Sequence, residues 1–141
     1  MSTRSADDLV ASARRQIDRV EPHELERVRA GGALVVDIRP ERQRALEGEL
    51  GFGIVVERNV LEWRFDLQGS HALPEVEGYD QPVIVVCSEG YASSLAAASL
   101  RELGFSRAAD LAGGYRAWRA WRGEDVPPAP PVASRPAAPP R

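Results

Sequence analysis

The one cysteine of the chain, Cys87, closes an apolar run and is followed by Gly90, Ser93 and Ser94 within VVCSEGYASS, residues 85–94. Two readings of that placement compete. A cysteine at the end of a strand is commonly an inert small hydrophobe. A thiol at the mouth of a strand–loop–helix connection is instead placed for nucleophilic chemistry. Gly90 can adopt backbone conformations closed to other residues, and a loop turned that way points successive N–H groups inward. Together with a helix N-terminus, such amides form an anion-favouring bowl. The bowl at Ser88, Glu89, Gly90, Tyr91, Ala92 and Ser93 would favour thiolate over thiol, and thiolate is the nucleophile. A persulfide anion would be held there in the same way.

The elements that must position this loop follow from hydrophobic patterning. Residues 83–86 (VIVV) and 33–38 (ALVVDI) are continuous apolar runs rich in β-branched side chains, the mark of buried strands. Shorter strands are expected over 19–20, 54–57 and 106–111. Helical spacing appears over 7–17, with Leu9, Val10, Ala13 and Ile17 on one face. Pro22 suits the first turn of a helix over 22–29, which Gly31 and Gly32 end. Further helices are expected over 41–47, stopped by Gly48, and over 115–121. A short helix or turn fits 60–65, and 66–81 reads as irregular. Residues 93–103 (SSLAAASLREL) predict a strong helix, with Ser93 as N-cap and Gly104 as stop. Strands alternating with helices predict an α/β fold with a parallel sheet covered on both faces. Sites in such sheets gather at the carboxyl ends of strands, where Cys87 stands.

Composition narrows the class. A chain of 141 residues, 43% hydrophobic and 28% charged, reads as one globular domain. The net charge of -3 offers no basic field for nucleic acid. All 18 cations are arginine. One cysteine forms no internal disulfide, which fits a reducing compartment. No apolar stretch approaches the ~18 residues of a membrane span, and the N-terminus shows no signal-peptide core. The expectation is a cytoplasmic protein without membrane or nucleic-acid partners. Three regions are expected: an N-terminal extension with a helix (1–17), an ordered domain (18–122) and a Pro/Ala-rich, disordered tail (123–141).

Four stretches, in order, are similar to the rhodanese-like domain, the single-domain sulfurtransferase family. VVDIRP (35–40) resembles the strand ending in Asp-x-Arg, matched by Asp37 and Arg39. ERQRALEGELGFGIVVERN resembles the helix and turn into the next strand. VIVVCSEGYASSLAAASLRELGF resembles the active-site strand, loop and helix. DLAGGYRAW (110–118) resembles the closing Leu-x-Gly-Gly-x-x-x-Trp signature. The resemblance implies a three-layer α/β/α fold with a five-stranded parallel sheet in order 1-5-4-2-3. It implies Cys87 as the catalytic residue, carrying a sulfane sulfur as a persulfide from a small-molecule or protein donor to a thiol acceptor. No cofactor and no metal are implied. Asp37 and Arg39 would flank the loop as a structural pair. Gly113 and Gly114 would allow a tight turn, and Trp118 and Trp121 would pack the last helix. His23 and His71 have no partner at metal-ligand spacing.

The chain departs from the family pattern where it matters. Many relatives carry Cys-Arg-x-Gly-x-Arg-Ser. Here Ser88 and Ala92 replace both arginines and Glu89 adds an acid. A carboxylate ~6 Å from a thiolate costs on the order of 2–3 kcal/mol at an effective dielectric of ~20, and much less when it points into water. Thiosulfate, a dianion, is therefore a poorer expected donor than a persulfide. Arg58 and Arg64, in ERNVLEWR, are candidates to replace the missing charge, and pairing with neighbouring acids is the competing expectation. Tyr91 would line the entrance or stand exposed. Two other functions share parts of this pattern. A Cys-x5-Arg phosphatase needs an arginine where Ser93 stands and a wider loop than the six residues from Cys87 to Ala92. A non-catalytic rhodanese-like module that binds or regulates a partner would tolerate the uncharged loop.

Overall fold

A computed structural model describes residues 2–128. Strands β1 (Asp18–Val20), β2 (Leu34–Asp37), β3 (Ile54–Val55), β4 (Val83–Val86) and β5 (Ala108–Leu111) form one parallel sheet, ordered β1-β5-β4-β2-β3. This is the expected order. VIVV is apolar on both faces and LVVD carries a single polar residue, the buried Asp37, so both belong between two layers. The layers are helices α1 (Ala6–Arg14), α2 (Leu25–Ala30), α3 (Glu41–Glu47), α4 (Leu61–Phe65), α5 (Ala92–Leu103) and α6 (Gly114–Trp121).

Successive strand residues point to opposite faces, and the core divides accordingly. Val36 and Val85 pack with Leu61, Phe65, Leu100 and Phe105 from α4, α5 and the segment after α5. Val35, Ile84 and Val86 pack with Leu25, Leu111, Tyr115 and Trp118 on the α2 and α6 side. β2 and β4 are neighbours, with Asp37 opposite Val86. The strand ends that carry Asp37 and Cys87 therefore adjoin.

Several boundaries differ from the sequence expectation. β3 ends at Val55, two residues short of 57; the Val56 amide makes the last bond to β2, to the Asp37 carbonyl at 3.0 Å. α1 begins at Ala6, where Ser5 and Asp8 form a reciprocal capping box, and ends at Arg14, three residues short of Ile17. α1 packs along α5. Ser93 is not the N-cap of α5: the helix starts at Ala92 with Tyr91 as its cap residue. The Ser93 hydroxyl goes instead to the buried carboxylate of Asp110 at 2.8 Å, a stronger acceptor than any alternative nearby. The loop between β4 and α5 is thus five residues, Cys87 to Tyr91, not six. The tail expected from 123 onward is described as far as 128, with Val126 packed beside the α6 cluster; residues 129–141 lie outside the described residues. Among the described residues no helix is long and apolar enough to cross a membrane.

Candidate active site

Cys87 is buried at the end of β4, and two backbone amides donate to its sulfur. Gly90 N–H stands 3.1 Å from Sγ and Ser93 N–H 3.3 Å. Gly90 makes the first bond possible with a φ of +88°, a conformation that residues with a β-carbon rarely adopt. The Cys87, Ser88 and Gly90 carbonyls of the same loop each find a donor other than the thiol. Tyr115 N–H, in the first turn of α6, bonds the Cys87 carbonyl at 2.8 Å, and Arg116 N–H bonds the Ser88 carbonyl at 3.1 Å. The Gly90 carbonyl accepts from Arg14 and Arg19. Two amide dipoles thus converge on the sulfur, an arrangement of the kind that binds anions.

Behind the loop lies a buried ionic network. Arg39 is fully buried and bonds both carboxylate oxygens of Asp37, at 2.7 to 3.2 Å. Its Nη1 reaches Glu47 at 3.0 Å, and its guanidinium stacks 4.0 Å from the Tyr115 ring centroid. Burial opposes the Arg39 charge. The hydrogen bonds and charges of Asp37 and Glu47 outweigh it and raise the Arg39 pKa above its ordinary value. The other Glu47 oxygen takes the Ser88 hydroxyl at 2.5 Å and Arg116 at 3.0 Å. Ser88 therefore acts as a tether between the loop and this network. On the opposite side, buried Asp110 accepts from Ser93, Ser94 and Arg19.

A cleft of about 430 Å³ opens over Cys87, between Ile38, Pro40, Gln43, Glu57, Arg58, Asn59 and Ala92, with Arg39 at its wall. The Arg39 guanidinium is committed to its carboxylates. Arg58 lines the cleft, but its Nη1 is held by both oxygens of Glu62 at 2.9 Å. Arg64 does not line the cleft; it donates to the His71 carbonyl. Glu89 and Tyr91 are exposed and, with Gln43, Ser88 and Ala92, line a second, shallower cleft that also reaches Cys87. Trp118 is core, while Trp121 is half exposed.

Sequence reading did not single out Glu47, Asp110, Arg116, Arg14 or Arg19. Asp110 carried a signal: an acid inside the apolar run AADLA, which must find partners once the strand is buried. Arg14 carried none, since its partner Gly90 is 76 residues away.

A parallel α/β/α sheet in this order, with a thiol in an amide cradle at the end of its central strand, defines a class of domain that carries chemistry on a single cysteine. The rhodanese-like domain family matches residues 21–120, and the chain belongs to that family. It is 33% identical over 105 residues to the thiosulfate sulfurtransferase GlpE of Ectopseudomonas mendocina, covering 74% of this chain and 87% of that protein. The GlpE protein of Stutzerimonas stutzeri is 32% identical over 111 residues, covering 77% and 90%. Among solved structures, a rhodanese homolog from Thermus thermophilus superposes with a TM-score of 0.52 at 33% identity, over 70% of this chain and 98% of that one. A Rhodopseudomonas palustris protein of unknown function, called a possible tyrosine phosphatase, superposes with a TM-score of 0.78 at 26% identity, over 90% and 97%.

Proposed function

We propose that this protein is a sulfurtransferase that moves a sulfane sulfur through a persulfide on Cys87. The observation that carries the reading is the pair of amides on Cys87 Sγ. The Cys87 thiolate attacks the sulfane sulfur of the donor. A new S–S bond forms on Cys87, the donor's S–S bond breaks, and its electron pair leaves with the donor thiolate or sulfite. The terminal sulfur of the Cys87 persulfide is then attacked by an acceptor thiolate. That attack breaks the Cys87 S–S bond and returns the thiolate to the cradle. Charge stays on sulfur throughout, and preorganised amides stabilise such charge without reorganising.

The relatives are named for thiosulfate. The loop of this chain lacks both arginines and bears Glu89, and Arg58 is half committed to Glu62. These features favour a persulfide, on a small molecule or a protein, as donor; the proposed acceptor is a thiol and the proposed setting the cytoplasm. The phosphatase reading lacks its key cation: the residue six places after Cys87 is Ser93, whose hydroxyl is spent on Asp110.

Intact-mass measurement after incubation with thiosulfate and with a small-molecule persulfide tests the proposal. The expected result is a gain of one sulfur atom, fastest from the persulfide and absent in Cys87→Ser. No gain from any donor would leave a binding module. Release of phosphate from an aryl phosphate would favour the phosphatase.

A further inference from the structure

Two of the arginines that reach the loop, Arg14 and Arg19, lie outside the residues that match the family, 21–120. Arg14 stands in the last turn of α1. Its Nη2 donates to the Gly90 carbonyl at 2.8 Å and its Nε to the Ser94 hydroxyl at 3.0 Å. The same guanidinium lies 5.5 Å from the centroid of the exposed Tyr91 ring. Arg19, in β1, donates to the Gly90 carbonyl at 3.0 Å and pairs with Asp110.

Gly90 is the pivot of the cradle. Its N–H faces the Cys87 sulfur, and its carbonyl faces these two cations. Glycine lets the peptides on either side rotate more freely than any other residue would. Rotation of the peptide shared with Tyr91 would carry off this carbonyl and loosen Gly90, whose N–H lies on the preceding peptide, shared with Glu89. Charge-assisted bonds to the carbonyl oppose that rotation more strongly than a neutral partner can. The one neutral partner, the Ser94 hydroxyl, is longer at 3.3 Å.

We infer that Arg14 is a positioning residue of the sulfur-transfer site. From the N-terminal helix, it supplies the cation that the loop lacks at Ser88 and Ala92. The inference rests on Cys87 as the sulfur carrier, and it makes α1 part of the reactive device. The other charged groups around the sulfur and its loop are Arg39, Glu57 and Arg58 in the cleft, Glu89 on the loop, Glu47 and Arg116 beyond Ser88, Asp110 beyond Ser93 and Ser94, and Arg19. An Arg14 substitution leaves all of these in place.

The test uses the full chain with Arg14→Ala, Arg14→Gln and Arg14→Lys. Three quantities are read: the rate of Cys87 alkylation by iodoacetamide across pH, the rate of sulfur loading from a small-molecule persulfide, and the melting temperature. Arg14→Ala and Arg14→Gln are expected to alkylate and load about tenfold more slowly at neutral pH, the scale of one charge-assisted hydrogen bond. Their alkylation profiles should move to higher pH, and Arg14→Lys should restore part of both. Should Arg14→Ala fail to fold, Arg14→Gln and Arg14→Lys carry the comparison. A wild-type pH profile and loading rate in the folded variants, even with a lower melting temperature, would overturn the inference. Failure of the wild type to load sulfur would strike the sulfurtransferase reading instead, because alkylation reports on the thiolate without any transfer.

Discussion

Gly114 lies so close to the active-site loop that a β-carbon on it would stand 2.6 Å from the Cys87 carbonyl oxygen. The contact is the joint between α6 and the cradle, since the next amide, Tyr115 N–H, holds that same carbonyl. Gly114 also has a φ of +67°, where a side chain is strained. Gly114→Ala should therefore cost more than the ~1–2 kcal/mol of a left-handed backbone alone, because the loop must also retreat. Thermal denaturation should show a clear loss of stability. The surviving folded protein should load sulfur at least about tenfold more slowly, as a misplacement of that size does elsewhere. Wild-type loading in this variant would mean that α6 does not set the cradle.

Arg39 should be irreplaceable. It joins Asp37, Glu47 and the Gly48 carbonyl and stacks on Tyr115. Lysine has neither the planar fork nor the stacking face. Removing one member of a buried ionic network costs about 3–5 kcal/mol, because the others stay buried and unpaired. Chemical denaturation of Arg39→Ala and Arg39→Lys should show losses on that scale for the first and a large part of it for the second. Near-wild-type midpoints for Arg39→Lys would show that charge alone suffices.

Glu62 gives the stability a dependence on acid. Burial raises its pKa, but hydrogen bonds from Ser99 and Arg58 outweigh it and hold the carboxyl below its ordinary value of 4.5. A carboxyl depressed in the folded state binds its proton more weakly there than in the unfolded chain. Its stabilising contribution is complete above the ordinary value and is lost as pH falls through the folded one. Melting temperatures recorded from neutral pH downward should fall more steeply for the wild type than for Glu62→Gln across that window. Parallel curves would remove Glu62 from the acid response.

The same residue should govern the choice of donor. Arg58 lines the cleft over Cys87 with its Nη1 held by Glu62. Glu62→Gln weakens that hold and leaves the guanidinium free to meet an anion. Loading from thiosulfate should rise about twofold to fivefold, the scale of one partly screened charge pair. Loading from an uncharged-headed persulfide should change little. Arg64→Ala is the comparison, since Arg64 bonds the His71 carbonyl away from the cleft. A thiosulfate rate unmoved in Glu62→Gln would separate Arg58 from donor recognition.

The centre of the sheet was legible because β2 and β4 are nearly pure apolar runs, and the order followed from the resemblance of four motifs in sequence. Cys87 and Gly90 were legible because the loop chemistry is local: strand end, glycine and helix start lie within a few residues. Most of what fixes the loop was not. Glu47 meets Ser88 across 41 residues, and Arg14 meets Gly90 across 76. Spacing along a chain says nothing about such pairs, and an arginine in an exposed helical turn reads as solvated. Ser93 was misplaced as a cap for a similar reason. Its hydroxyl has a local use in the sequence and a distant, stronger one, Asp110, in the fold.

The central claim is that the Gly90 and Ser93 amides hold the reactive sulfur of Cys87. Amide proton NMR during titration with a small-molecule persulfide, with intact mass read from the same sample, tests it most directly. As one sulfur atom is added to Cys87, the Gly90 and Ser93 amide protons should shift more than any others outside the loop. A chain that gains the sulfur while those two resonances stay still would contradict the account.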